Sequence, residues 1–138
     1  MGYYTDYTLS VFSAKRDASG AISMSDQIPF IIEEQIDKEI GRMNIFSDGN
    51  IKDSYYAHAK WYDHEQDMRL LSARFPDMVF WLSGRGEGDE DLWQKYFLGG
   101  KMQEAYAQIV YDDFDPSKLE GDTVSADGIS KQRYSYQI

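Results

Sequence analysis

Apolar and polar residues alternate along several stretches of the chain and recur at helical spacing along two others. Alternation predicts strands, because successive side chains of a strand point to opposite faces of its sheet. Spacings of three and four instead predict one apolar side of a helix. The resulting strand predictions are 3–13, 44–47, 55–62 and 78–83, with a further short strand at 21–24.

Two helices are predicted between these strands. The first begins near Pro29, a residue suited to the first helical position, and ends near Gly41. Its apolar side consists of Ile32, Ile36, Ile40 and Met43. The second follows Asp63 as N-cap and cannot continue through Pro76. Its apolar side consists of Met68, Leu71 and Phe75.

A long hairpin closed by Gly99-Gly100, a favoured two-residue turn, is the clearest element of the sequence. Pairing its arms places four pairs opposite one another: Leu98 and Lys101, Phe97 and Met102, Lys95 and Glu104, Trp93 and Tyr106. The other face would carry Leu92, Tyr96, Leu98, Ala105, Ala107, Ile109 and Tyr111. Because small alanines suit a sheet face on which helices press, we expect that face to be covered and the Trp93 face to be open.

The order of elements predicts an α+β protein. Strand, helix, short strand, strand, helix and strand form a ferredoxin-like β-α-β-β-α-β antiparallel sheet with two helices on one face, extended by the C-terminal hairpin and an arm. An α+β sheet of different strand order is the alternative. We expect residues 1–115 to form a single domain and residues 116–138 to form an arm packed on the domain or on a partner copy. Within this arm Tyr134, Tyr136 and Ile138 alternate.

Composition changes the functional picture more than the structural one. The net charge is −10, and residues 61–115 carry twelve acids against five bases. Such a field repels phosphate, so we expect no direct binding of nucleic acid, whereas a basic protein surface would be attracted. The chain has no cysteine and no apolar run long enough to span a membrane, and we expect a cytoplasmic protein.

Motifs for cofactors and metals are weak, and we predict neither. The glycine-rich loop at 84–88 is followed by acids and a strand rather than by a helix, which disfavours a phosphate. Neither acidic cluster has the residue spacing of a calcium-binding loop; the clusters are Glu87, Asp89, Glu90 and Asp91, and Asp112, Asp113 and Asp115. Near Asp63, His64 fits a surface histidine better than a general base, because residues adjacent in sequence do not face each other on a helix.

The predicted binding site combines aromatic residues of the expected open face with the acids beside it. Aromatic and methionine patches with charged rims are typical of protein-binding surfaces. The candidate partner-binding residues are Trp93, Phe97, Met102, Tyr106, Glu87, Asp89, Glu90 and Asp91.

Several runs of the sequence resemble a group of small uncharacterised proteins of phages and prophages. These runs are KWYDHEQDM, the Gly-Glu-Gly loop, DLWQKYFLGGKMQ and FDPSKL, together spanning residues 60–119. The most recognisable positions are Asp91, Trp93, Tyr96, Phe97, Gly100 and Lys101. The resemblance implies no reaction, only a setting in which small acidic proteins bind and block host machinery such as restriction or CRISPR complexes.

These observations favour a non-enzymatic acidic phage or prophage protein that inhibits a host defence or nucleic-acid-processing protein by occupying its basic surface. One alternative is a small metal- or ligand-dependent enzyme or binding domain using Asp63, His64 and the acids after the hairpin, which are Asp112, Asp113 and Asp115. A further alternative is a structural homo-oligomer, such as a homodimer, formed through the hairpin edge and the arm.

Overall fold

The computed structural model describes residues 2–88 and 90–124. The chain divides into two compact units, Met1–Gln108 and Ile109–Ile138. Asp89 lies outside the described residues, as does the alternating run of Tyr134, Tyr136 and Ile138. The proposed role of Asp89 and the packing of the arm therefore stay predictions.

The described part of the first unit contains seven strands and two helices, and its class is α+β as predicted. The elements are β1 (Thr5–Arg16), β2 (Ile22–Ser25), α1 (Phe30–Met43), β3 (Asp48–Asn50), β4 (Ser54–Ala59), α2 (His64–Arg74), β5 (Met78–Arg85), β6 (Leu92–Leu98) and β7 (Lys101–Tyr106). The described part of the second unit is irregular apart from a short 3-10 turn at Pro116–Lys118. Asp115 caps that turn by accepting a hydrogen bond from the Ser117 N–H at 3.0 Å.

All strands belong to one antiparallel sheet with the order β3-β4-β1-β5-β6-β7, in which β2 pairs with β1. One edge of β1 meets β5, and the other edge meets β4 at Thr5–Leu9 and β2 at Ser13–Arg16. The full order is not the standard ferredoxin-like one, because β2, β6 and β7 are added to the sheet. The prediction is therefore confirmed at the level of two helices and an extended antiparallel sheet.

The predicted hairpin register is confirmed. Leu98 pairs with Lys101, and the pairing continues without a slip to Trp93 opposite Tyr106. Gly99 and Gly100 both have positive φ, at 59° and 84°, a conformation that glycine adopts without steric cost.

Two predicted positions are wrong. Gly41 does not end α1, which continues to Met43 and ends at Asn44 in the left-handed conformation, at φ 56°. The strand predicted at 44–47 is absent, and β3 lies instead at Asp48–Asn50. A pattern of single residues locates an element better than its ends, since caps and pairing partners decide where it stops.

Candidate functional site

The two faces of the sheet differ in what covers them. Both helices contribute to one core together with the same face of β1, β4, β5 and β6, which we call the covered face. The opposite side, which no described helix packs on, we call the open face. Buried residues of the covered face include Tyr7, Leu9, Val11, Tyr55, Ala57, Phe80, Leu82, Trp93, Lys95 and Phe97.

The expectation that the Trp93 face is open is wrong. Trp93 is 9% exposed and Phe97 is fully buried, and Met102 packs partly buried against the same core. The reason is the pairing of β6 with β5, where Phe97 lies opposite Phe80. Apolar and polar residues do not alternate in the apolar run of β5. The sequence therefore did not indicate which face of the hairpin continues the core. Tyr106, in contrast, is 68% exposed.

Lys95 is a buried charge at the centre of the covered face. Its ammonium lies 2.8 Å from the Glu65 carboxylate and 2.7 Å from His64 Nε2. It also lies 4.2 Å from the centre of the Trp93 ring, a favourable cation–π distance. These contacts compensate the desolvation of the charge, which is why a lysine can occupy a core position.

His64 is not the surface histidine that the sequence favoured. Its ring stacks on Trp93 with centroids 4.9 Å apart, and its Nδ1–H donates to the Trp61 carbonyl at 3.0 Å. Nε2 is then the acceptor for Lys95. Burial, together with the charge of Lys95, lowers the pKa of His64. The ring therefore joins α2 to the sheet as a neutral hydrogen-bonded group.

The acids of the loop between β5 and β6 are held by the N-terminal residues. The Tyr4 N–H donates to Glu87 Oε2 at 2.6 Å, and the Tyr3 hydroxyl donates to Asp91 Oδ2 at 2.7 Å. The Gly88 N–H in turn donates to the Tyr3 hydroxyl at 2.9 Å. Glu87 and Asp91 are therefore fixed by hydrogen bonds to the N-terminal residues.

Tyr106 is exposed and bonded to a carboxylate of its own strand. Its hydroxyl donates to Glu104, and this bond, with the charge of Glu104, raises the pKa of Tyr106. The charges of Glu65 and Asp91 act in the same direction. We call Glu87, Glu90, Asp91 and Glu104, together with Tyr106, the acidic rim.

The open face carries aromatic residues that the sequence did not single out. Trp81 of β5 stacks on Tyr96 of β6, with centroids 5.8 Å apart and planes at 11°, and lies 6.2 Å from the ring of Phe12. The Trp81 indole N–H is buried and has no hydrogen-bond partner within residues 2–88 and 90–124. The confirmed hairpin register is the signal that could have found this group, once β6 is paired with β5.

The described residues contain no group of three or more His, Cys, Asp and Glu side chains that could hold a metal ion. The enzyme alternative thus gains no described metal site. The two helices of residues 2–88 and 90–124 are also too short or too polar to span a membrane.

Comparison of the chain with protein-family models, with curated proteins and with solved structures found no match. The resemblance to phage proteins stays a prediction.

Proposed function

We propose that the protein is a non-enzymatic interaction protein whose acidic rim binds a basic surface of another protein. The observation that carries this proposal is Tyr106, a large aromatic side chain that is mostly exposed and whose hydroxyl donates to the Glu104 carboxylate. Tyrosine supplies a rigid contact area and a polar tip, and it is enriched where proteins bind each other. The neighbouring carboxylates give the contact its preference for a basic partner.

The charge of the whole chain supports the same partner. A net charge of −10 accelerates association with a basic surface and keeps nucleic acid away. In the setting that the phage resemblance implies, the partner is a host protein whose basic groove otherwise binds nucleic acid. The carboxylates of the rim take the place of phosphates in that groove.

The buried aromatic residues have a different role in this proposal. Trp93 and Phe97 are core residues that hold β6 against the helices, so they position the rim instead of touching the partner. Met102 lies on the same face at the sheet edge and is partly buried. The contact residues are accordingly the acids of the rim and Tyr106.

We also propose a ferredoxin-like origin for the central part of the sheet. The order β3-β4-β1-β5 supports it. The connection through α1 leaves β4 between β1 and β3, and the connection through α2 leaves β1 between β4 and β5, as in a split βαβ arrangement. The hairpin would then be an addition that carries Glu104 and Tyr106.

The test is affinity capture from a bacterial lysate with three forms of the chain. The rim variant combines Glu87→Gln, Glu90→Gln, Asp91→Asn and Glu104→Gln. The control variant removes the same charge at exposed acids elsewhere, through Asp26→Asn, Glu34→Gln, Asp53→Asn and Asp77→Asn. We expect one basic protein to be retained by the wild type and the control and to be lost with the rim variant.

Purified partner should then bind the wild type more weakly as NaCl is raised from about 0.05 M to about 0.5 M, because exposed charges are screened. Retention of the same protein by the rim variant, or binding indifferent to salt, would contradict the proposal. Light scattering of the pure chain distinguishes the homo-oligomer alternative, which would use the unpaired edge of β7.

A further inference from the structure

A cavity of about 610 Å³ lies on the open face, at the end of the sheet where β1 begins and β5 ends. Four of its lining residues form one row across four strands, since Thr8 pairs with Ser83, Ser83 with Gln94, and Gln94 with Ala105. Neighbouring strands are about 4.8 Å apart, so the row crosses about 14 Å of sheet. A trough of this size matches a small molecule.

Small side chains of the row leave space beside larger ones. On β5 the row lies next to Arg85 and on β6 next to Leu92, and both of these residues line the cavity. Adjacent residues on one face of a strand are two positions apart, so Arg85 and Leu92 form one side of the trough. Thr8, Ser83 and Ala105 are too small to fill the space beside them.

The polar groups of the trough are available to a ligand. Arg85 makes no hydrogen bond or ion pair with any described residue, and the hydroxyls of Thr8 and Ser83 likewise have no partner in the described part of the chain. The Gln94 side-chain oxygen accepts a long bond of 3.4 Å from Tyr96, which leaves its amide N–H groups unused. A guanidinium with nearby hydroxyl and amide donors is a typical environment for a carboxylate or phosphate.

Charge on the open face also differs from that of the chain. Among the strand positions on this face, the bases Arg16, Arg85 and Lys101 outnumber the acids Asp6 and Asp48. Asp6, which also lines the cavity, is engaged by His58 Nδ1 at 2.6 Å. The strand positions of the open face therefore carry one more base than acid, in contrast to the net negative charge of the chain.

We propose that this cavity binds a small organic anion, with a carboxylate or phosphate held by Arg85 and the rest of the molecule in contact with Thr8, Ser83 and Gln94. The site adjoins the acidic rim, because Tyr106 also lines the cavity, but none of the residues that would hold the anion belongs to the rim. The shared chemistry is one anionic group on a compact polar body, and carboxylate and phosphate are separated by experiment.

The experiment adds small-molecule probes to the full chain at low ionic strength and measures the backbone amide chemical shifts by NMR. The probes are succinate, glycerol phosphate and the neutral succinamide. We expect saturable shifts at Thr8, Ser83, Arg85 and Gln94 with at least one of the two anions, and none with succinamide. Saturation by succinate alone assigns a carboxylate ligand, and saturation by glycerol phosphate alone assigns a phosphate ligand.

Arg85→Gln should raise the dissociation constant about tenfold, which corresponds to about 1.4 kcal/mol. The matched control is Lys101→Gln, which removes the same charge elsewhere on the open face and should change the constant less than about twofold because the charge is screened. Equal losses in the two variants would overturn the proposal, because binding would then be non-specific attraction. Absence of localised shifts with both anions up to about 20 mM would overturn it as well.

Discussion

The covered and open faces of the sheet are built from the same strands. A covered face is expected to be apolar and an open face polar, yet single residues on both faces differ from this. Lys95 is buried on the covered face, whereas Trp81 and Tyr96 lie on the face without a helix. Partners explain the difference, because Lys95 has a carboxylate, an imidazole and an aromatic ring around it. The comparison teaches that register decides burial in this protein, and that polarity then follows from the contacts each side chain finds.

The largest test of this comparison replaces adjacent aromatic residues of β6. Phe97→Ala should lower the free energy of unfolding by about 3–5 kcal/mol, because a fully buried ring leaves a cavity under the helices. Tyr96→Ala on the open face should cost about 1.5 kcal/mol or less, since it loses mainly the stacking contact with Trp81. Urea unfolding measures both free energies. Equal losses of stability in the two variants would show that the two faces do not differ in how deeply they bury aromatic rings.

A second test uses two glycines. A Cβ on Gly84 would overlap the Trp93 ring, so Gly84→Ala should displace that ring and cost about 1–3 kcal/mol. Gly41 lies inside α1 with no atom within 4 Å of such a Cβ, so Gly41→Ala should stabilise by about 0.5–1 kcal/mol. Thermal unfolding should move in opposite directions for the two variants, and stabilisation by Gly84→Ala would show that Trp93 is not packed against β5.

The smallest expected effect is a pH dependence of the covered face. The pKa of His64 is lowered in the folded state, so the unfolded chain binds more protons and stability rises with pH. The contribution of His64 to stability is complete above its unfolded-state pKa of about 6.5. It is lost as the pH falls from there through the lowered pKa of the folded state. Protonation would give His64 a charge facing Lys95 and remove the acceptor for its ammonium.

The measurement is urea unfolding between about pH 8 and about pH 5.5, a range above the titration of Glu65, whose pKa is lowered by its bond to Lys95 from a usual 4.5. His64→Gln is the control, since it keeps an acceptor and cannot titrate. We expect the difference in stability between wild type and variant to shrink toward low pH. A difference that stays constant would show that the ring does not titrate against Lys95.

Local pattern predicted much of the first unit from the sequence. The stripe of Ile36 and Ile40 gave α1, and Gly99-Gly100 fixed every pair of the hairpin. These features depend on residues near one another in the chain, where propensity and turn geometry act directly.

The candidate site was predicted only in part. The acids at 87, 90 and 91 and the exposed Tyr106 keep their predicted place at the surface, whereas Trp93 and Phe97 do not. The alanines were the misleading signal. Ala105 and Ala107 indicated a face covered by helices, although both line an open trough.

The sequence by itself determined both helices, most of the strands, the hairpin register and the concentration of acids in the central region, because each depends on composition or on short-range pairing. Only the tertiary structure decided which face of the hairpin is buried, because that choice depends on how β6 pairs with β5, and β5 is apolar on both sides. A strand has two faces related by a shift of one residue, and the energy that chooses between them comes from distant partners.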